Sequence, residues 1–282
     1  MSAPVFLAEG TRLGEYAVGS VFVLDGAEGR HAGVVQRRGP GERIDVVDGA
    51  GLRLEGVVES VDDGHVHLRV GGVVAEEPPV PVVTLVQALA KGDRDEQAIE
   101  AATETGVDAV VPWQAERSIV VWRGPRAAKS QAKWVATVRA ATKQARRARV
   151  PEVAAPVTTK QLAARARDVV GAGGVVVVLH EEATLPLREV PLPEATGHEA
   201  SGSEVPATGM PVSGASVSGA GGSPVPELLV VVGPEGGISE AEVDALTAAG
   251  AVTARLGPHV MRTSTAGPVA VAMLNERLGR WS

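Results

Sequence analysis

Val230-Val231-Val232-Gly233-Pro234-Glu235-Gly236-Gly237 and Leu256-Gly257-Pro258-His259-Val260-Met261-Arg262-Thr263-Ser264-Thr265-Ala266 decide how this chain is read. Each turn follows a short apolar run of the kind that forms a buried parallel strand, and each precedes a helix-like stretch. Both turns therefore fall at the carboxyl ends of neighbouring strands, the edge of an open α/β sheet where small ligands bind. Gly233, Gly236 and Gly237 allow positive φ and let main-chain N–H and C=O groups approach a ligand with no Cβ between. Such a loop suits an adenine or a ribose. A single Gly-Pro turn more often just joins strand to helix; two at one edge, the second carrying Arg262 and three hydroxyl residues, favour a ligand.

Outward from these turns, strand and helix alternate. Val82 to Leu89 reads as a buried strand, and Asp93 with Glu96 makes a capping box that opens a helix running to Thr105 and stopped by Gly106. Val107 to Trp113 is the next strand. A helix follows with Pro125 near its first turn, then Thr158 or Thr159 caps a short helix, and Gly174 to Leu179 gives another strand. Leu228 to Val232, a helix capped by Ser239 and Glu242 and ended by Gly250, and a last helix from Gly267-Pro268 to about Gly279 complete an α/β unit with a mostly parallel sheet over residues 82–282. Ahead of it, residues 1–75 alternate β-like runs (Ser20 to Leu24, Arg43 to Val47, Leu52 to Val58, His65 to Val70) with turns such as Asp48-Gly49-Ala50-Gly51, the pattern of a small barrel or sandwich. Residues 76–81, Glu-Glu-Pro-Pro-Val-Pro, break both helix and sheet and form the linker. From about 194 to 226 the chain is Gly, Ser, Pro, Ala, Thr and Val, with too little bulky apolar surface to offset ordering entropy, so a mobile insertion without chemistry is expected there.

At 282 residues and 44% hydrophobic content the chain is long enough for two domains with sizeable cores. With no cysteine it has no disulfide, thiol nucleophile or cysteine-ligated zinc. No apolar run approaches a membrane span and the N-terminus lacks a signal pattern, so a cytoplasmic protein with no membrane partner is expected. Neither the Gly-x-x-x-x-Gly-Lys-Ser/Thr nor a strand-linked Gly-x-Gly-x-x-Gly phosphate signature occurs, which argues against a nucleoside triphosphatase or a nicotinamide enzyme. His31, His180 and His259 have no metal-ligand spacing and read as packing or hydrogen-bonding residues; no metal is expected.

The net charge of −7 hides an asymmetry: Arg126 to Arg149 contains no acid but holds Arg126, Lys129, Lys133, Arg139, Lys143, Arg146, Arg147 and Arg149. Most fall on one broad helical face, opposite Trp134, Val138, Ala141 and Ala145. A solvated face is the ordinary reading of a charge run, but surface helices normally mix signs, so the missing acids favour a polyanion partner. Lys143, Arg146, Arg147 and Arg149 are the candidate phosphate contacts of this stretch, and Arg30, Arg37, Arg38 and Arg43 form a local basic group in the N-terminal part. Aromatics make up only 2%, so an extended stacking platform for single strands is not expected and polyanion binding would rest on charge and shape.

The last segment resembles the SPOUT methyltransferases, and specifically the bacterial family that methylates N3 of a uridine in 16S ribosomal RNA. In that family a Gly-Pro-Glu-Gly-Gly turn and a Leu-Gly-x-x-x-x-Arg-x-x-Thr-Ala turn stand where this chain has Gly233 to Gly237 and Leu256 to Ala266. The resemblance extends to Lys91, Arg94 and Glu96, to Ala102 through Val107, to Pro112, Glu116-Arg117-Ser118, Arg149-Val150-Pro151-Glu152 and Leu179-His180-Glu181-Glu182. His31, Arg37 and the Asp48 to Gly51 turn are similar to the family's N-terminal PUA-like domain.

The resemblance implies a SPOUT domain with a deep trefoil knot behind a PUA-like β-barrel, S-adenosyl-L-methionine as cofactor, a homodimer, and 16S rRNA of the small ribosomal subunit as partner, methylated at uridine 1498 in the usual numbering. It implies cofactor contacts at Leu179, His180, Glu181, Gly233, Pro234, Glu235, Gly236, Leu256, Gly257, Met261, Arg262, Thr263 and Thr265. Methylation at N3 requires loss of the uracil N3 proton and leaves charge on the flanking carbonyls. Arg117 or Arg262 can hold the uracilate or a phosphate but cannot be the base, since arginine stays protonated. Glu235 is either a proton acceptor or a structural hydrogen-bonding group. A methyltransferase of this fold acting on tRNA or large-subunit RNA, and a non-catalytic ribosome-assembly factor, are the alternatives.

Overall fold

Two long strands and three short ones build the first sheet. The computed structural model describes residues 3–193 and 225–281, so the expected insertion lies outside the described residues except for Val225 and Pro226. β1 (Val5–Leu7), β2 (Val21–Leu24), α1 (Gly26–Arg30), β3 (Arg43–Val47), β4 (Leu52–Asp62) and β5 (His65–Ala75) form a five-stranded curled sheet in the order β1-β3-β4-β5-β2. Their inward residues, among them Phe6, Phe22, Leu24, Ile44, Leu54, Leu68 and Val70, close one core. α1 continues into a π-helical turn at His31–Val35, in a glycine-interrupted stretch with no helical apolar period.

The second sheet holds β6 (Val82–Ala88), α2 (Arg94–Glu104), β7 (Ala109–Gln114), α3 (Pro125–Gln144), β8 (Glu152–Val153), β9 (Val157–Thr158), α4 (Thr159–Gly171), β10 (Val175–Leu179), β11 (Glu227–Val232), α5 (Glu240–Thr247), β12 (Val252–Ala254) and α6 (Thr263–Arg277). The strand order is β12-β10-β11-β6-β7-β8 with β9 also on β7, and every pair is parallel. Both faces are covered, as near-continuous Val and Leu runs require. Val83, Leu85, Val110 and Val230 pack under α2, α3 and α6 through Ile99, Trp134, Val138 and Leu274. Val86, Val111, Val178 and Val231 pack under α4 and α5 through Leu162, Ala166 and Leu246.

Three local expectations are corrected. Asp93 does not cap α2: it sits at φ 57° with no side-chain cap bond, and it and Glu96 instead face Lys133 of α3 at 3.3 and 2.8 Å. α3 ends at Gln144, before Arg146, Arg147 and Arg149. α6 begins at Thr263 rather than at Gly267, and Pro268 lies inside it; the backbone turns at Arg262, and Gly267 lets the helix reach Leu85, where a Cβ would come within 3.0 Å. The Thr158–Gln161 and Ser239–Glu242 capping boxes both form.

The two sheets meet along a seam. Val150 N–H donates to Gly49 O at 2.9 Å and Gly51 N–H to Ala148 O at 3.3 Å, Arg53 donates to Arg146 O at 2.8 Å, and Ala148 packs with Val5, Leu7 and Val47.

Candidate functional site

Because β12, β10, β11 and β6 are parallel neighbours, the segments that leave them share one edge. His180 N–H donates to Ala254 O at 3.0 Å, Arg255 N–H to Leu185 O at 2.8 Å, and Leu187 N–H to Arg255 O at 2.9 Å, stitching the stretch after β10 to the stretch after β12. Gly237 closes the turn after β11, with its N–H on Pro234 O at 2.9 Å. Of the three glycines only Gly237 adopts positive φ, +74°. Gly233 and Gly236 are needed for space instead: a Cβ at Gly233 would lie 2.6 Å from Ile238 Cγ1, and one at Gly236 would lie 3.1 Å from Arg117 Cβ.

Thr263 joins three distant segments. Its hydroxyl accepts from Gln87 Nε2 at 2.8 Å and donates to Gly233 O at 2.7 Å, tying the end of β6, the glycine turn and the start of α6. Gln87 Oε1 is buried beside them without a partner. Glu235 accepts from Arg94 Nη1 at 2.9 Å and from Lys91 N–H at 3.2 Å. Burial raises its pKa, but hydrogen bonds from its own amide, Arg94 and Lys91, with the Arg94 charge, outweigh this and hold the carboxyl below the ordinary glutamate range. It is thus a weakened base whose recorded partners brace the loop after β6.

Arg117 donates to Gly236 O at 3.1 Å. The Arg262 side chain is exposed with no hydrogen bond or ion pair among the described residues, while its carbonyl accepts from Thr265 and Ala266 at the head of α6. Leu179 and Leu256 are half-buried against the core; Gly257 is half-buried, and Met261, Thr265 and Glu181 are exposed. Glu182 N–H donates to His180 Nδ1 at 3.3 Å. Among the described residues the N–H groups between Leu256 and Arg262 donate to no main-chain acceptor. These N–H groups, beside the half-buried Leu179 and Leu256, are open to the polar edge of a ligand.

Sequence reasoning missed Glu242, which is 4% exposed. It accepts from Glu116 N–H at 2.8 Å, Thr159 Oγ1 at 2.7 Å and Ser239 N–H at 3.1 Å, while Ser239 Oγ donates to Glu116 at 2.6 Å. One carboxylate thereby aligns the loop after β7 and the starts of α4 and α5. It was read only as half of a capping box, because its other partners lie far away in sequence. Gln87 was detectable as the one amide in the apolar run Val82 to Leu89.

The stretch free of acids in sequence is not free of them in space. Lys143 meets Glu28 at 2.6 Å, Arg139 pairs with Glu9, and Arg147 donates to Thr103 O at 2.8 Å and faces Asp108 at 3.7 Å. Arg149 donates to Glu76 O and lies over Gly51. Arg146 stands at φ 59° in the seam. Arg126 and Lys129, at the start of α3, are exposed with no ion pair among the described residues. In the first sheet Arg30 is exposed at the end of α1, beside His31, Asp63 and His65. Arg37 is exposed at φ 54°, and Arg38 pairs with Glu42 at 3.2 Å. Among the described residues no three His, Asp or Glu side chains are grouped to hold a metal, and no helix is long and apolar enough to cross a membrane.

Comparison with known proteins agrees with this geometry. A family model described as RNA methyltransferase domain matches residues 76–275. The Mycobacterium bovis ribosomal RNA small subunit methyltransferase E is 43% identical over 263 residues, 93% of this chain and 89% of the relative. The Bacillus subtilis protein of that name is 31% identical, over 90% of this chain and 89% of its own. Among solved structures, a Legionella pneumophila methyltransferase in complex with the cofactor SAM superposes with a TM-score of 0.74 at 25% identity, covering 98% of each chain.

Proposed function

The chain belongs to the family of ribosomal RNA small subunit methyltransferases E, and from that membership we propose that it transfers a methyl group from S-adenosyl-L-methionine to N3 of a single uridine, 1498 in the usual numbering, in 16S rRNA. One observation carries the reading: the Gly233 to Gly237 turn, the Leu256 to Arg262 segment, whose N–H groups have no main-chain acceptor among the described residues, and two arginines meet at one sheet edge. The cofactor supplies an electrophilic methyl on a sulfonium. The chain's part is to bind the cofactor, which Leu179, His180, Leu256 and Met261 would hold, and to present the base. Arg117, held on Gly236 O, and Arg262, whose side chain has no ion pair among the described residues, would stabilise charge on the uracil carbonyls once N3 loses its proton. Glu235, braced by Arg94, acts by positioning the loop rather than by taking that proton.

The larger architecture proposed is a deep trefoil knot in residues 82–282 behind a PUA-like domain in residues 1–75, working as a cytoplasmic homodimer. β12 lies beyond β10, yet α6, which follows it, packs on α2 and β6, a return path that supports the knot. Val269 and Ala272 of α6 are half-buried and outside the core cluster, which supports a second copy on that helix. Purified protein incubated with labelled S-adenosyl-L-methionine and small subunits lacking the modification is expected to yield N3-methyluridine at one site by nucleoside mass spectrometry. Cofactor binding with a methyl group on another RNA, or with no transfer, rejects this assignment.

A further inference from the structure

The buried carboxyl of Glu242 does more than cap α5. Oε1 accepts from Glu116 N–H at 2.8 Å and from Thr159 Oγ1 at 2.7 Å, while Oε2 accepts from Ser239 N–H at 3.1 Å. Only the last of these belongs to the capping box. The other two reach out of α5, to the loop after β7 and to the head of α4.

Through them the loop after β7 is gripped on both sides of its bend. Trp113, fully buried near the end of β7, donates its indole N–H to Thr159 Oγ1 at 3.2 Å, so Thr159 receives from Trp113 and gives to Glu242. Three residues on, Glu116 is fixed twice, by its N–H on Glu242 and by its carboxylate, which accepts from Ser239 Oγ at 2.6 Å. Ser118 N–H on Ala115 O at 3.1 Å closes the turn. Arg117 is the residue this turn presents to the glycine turn: its guanidinium donates to Gly236 O at 3.1 Å, and a Cβ on Gly236 would lie 3.1 Å from Arg117 Cβ.

Residues 236–242 thus hold the loop at two adjacent points, the main chain of Glu116 through Glu242 and the side chain of Arg117 through Gly236. The second grip depends on the first. Arg117 is exposed, and one hydrogen bond there is offset by the rotamer entropy of a long side chain, so the guanidinium keeps its place only where the backbone beneath it is already fixed.

We propose that Glu242 is a positioning residue for methyl transfer: by fixing the Glu116 amide it holds Arg117 in register with the charge that develops on the uracil carbonyls. The inference rests on the role given to Arg117 above and adds the group that sets its place.

The test is a double-mutant cycle on the full-length protein. Single-turnover and steady-state methyl transfer to small subunits lacking the modification are measured for Glu242→Gln, Arg117→Ala and the two together, with cofactor Kd and thermal midpoint followed alongside. Glutamine keeps the size of Glu242, but its NH2 must face either the Ser239 amide or the Glu116 amide with the Thr159 hydroxyl. Glu242→Gln should lower kcat about tenfold with KM and cofactor Kd within about twofold, and should cost less than about twofold more once Arg117 is alanine. Any loss of thermal stability should be the same in both backgrounds; the loss of rate should not. Equal fold losses of rate in both backgrounds, or an unchanged kcat in Glu242→Gln, overturn the proposal and leave the function standing. Full kcat in Arg117→Ala removes the role given to Arg117 and the proposal with it, with the methyltransferase intact. An unaltered protein that binds the cofactor and methylates nothing overturns the function as well. If Glu242→Gln does not fold, Thr159→Val removes one donor to the carboxyl and enters the same cycle, with a loss of about threefold expected that again disappears beside Arg117→Ala.

Discussion

Thr263 uses both hydrogen-bonding capacities of one hydroxyl, and Thr263→Val keeps its shape while removing both bonds. Gly233 O then loses its hydroxyl donor and Gln87 Nε2 keeps only Ala88 O, at 3.2 Å, which should cost about 1–3 kcal/mol in denaturant unfolding and weaken cofactor binding, whereas Thr263→Ser restores both bonds. Asp95 offers a pH signature. It is 5% exposed and accepts from Ala90 N–H at 3.4 Å and Glu96 N–H at 2.9 Å, and burial raises its pKa from 3.8 to about 6 against these bonds, with the Glu96 charge adding to the rise. Between those values the folded protein holds a proton that the unfolded chain has released, so stability falls as pH rises from about 4 to 6 and levels above. The fall is at most about 3 kcal/mol. Denaturation midpoints compared at pH 4 to 7 should show it in the parent protein and lose it in Asp95→Asn. Neither residue's part was legible in the sequence: Thr263 read as one of three hydroxyls near Arg262, and nothing local marks Asp95 as buried between half-buried Arg94 and Glu96. The glycine turn was legible as a turn, but the reason for Gly233 and Gly236 was not, because Ile238 and Arg117 are the atoms they avoid.

Helices and strands were read best where a single stretch carries its own signals. Ser239 with Glu242, Thr158 with Gln161, and the valine runs of β10 and β11 needed no distant information. α2 and α6 departed from their local signals because tertiary contacts prevailed: Lys133 draws off the carboxylates expected to cap α2, and the packing of Gly267 on Leu85 carries α6 through a proline that suggested its start. The region around α3 shows the same limit for charge. Its cations meet acids from four other places in the chain, Glu9, Glu28, Asp93 with Glu96, and Asp108. Alanine at Arg147 should therefore cost about 2–3 kcal/mol of stability, since it leaves the Thr103 carbonyl and Asp108 short of a donor. Alanine at Arg126 and Lys129 together should change stability by less than about 0.5 kcal/mol and still lower RNA affinity. Chemical denaturation and filter binding on both variants separate support of the fold from contact with RNA.

On the scale of the whole molecule, the proline-rich stretch at 76–81 marks where the chain passes from one sheet to the other, but it does not reveal how they join. The joint is made by residues 146–150 lying on the Asp48 to Gly51 turn, and Gly51 is at φ +112° with the Arg149 guanidinium 2.4 Å from where a Cβ would be. The unaltered protein should melt in one calorimetric transition, and Gly51→Val should split it into two by prising the seam open. Strand order and the return of α6 across the sheet are likewise invisible to periodicity, which reports each strand's burial but not its neighbours. The seam also bears on dissection: a cut at the prolines, the natural place to divide the chain, would leave Ala148 and Val150 bare on one fragment and Val5, Leu7 and Val47 on the other. Each half would carry a sticky scar in place of its mate, so neither is a module that can be lifted out unchanged.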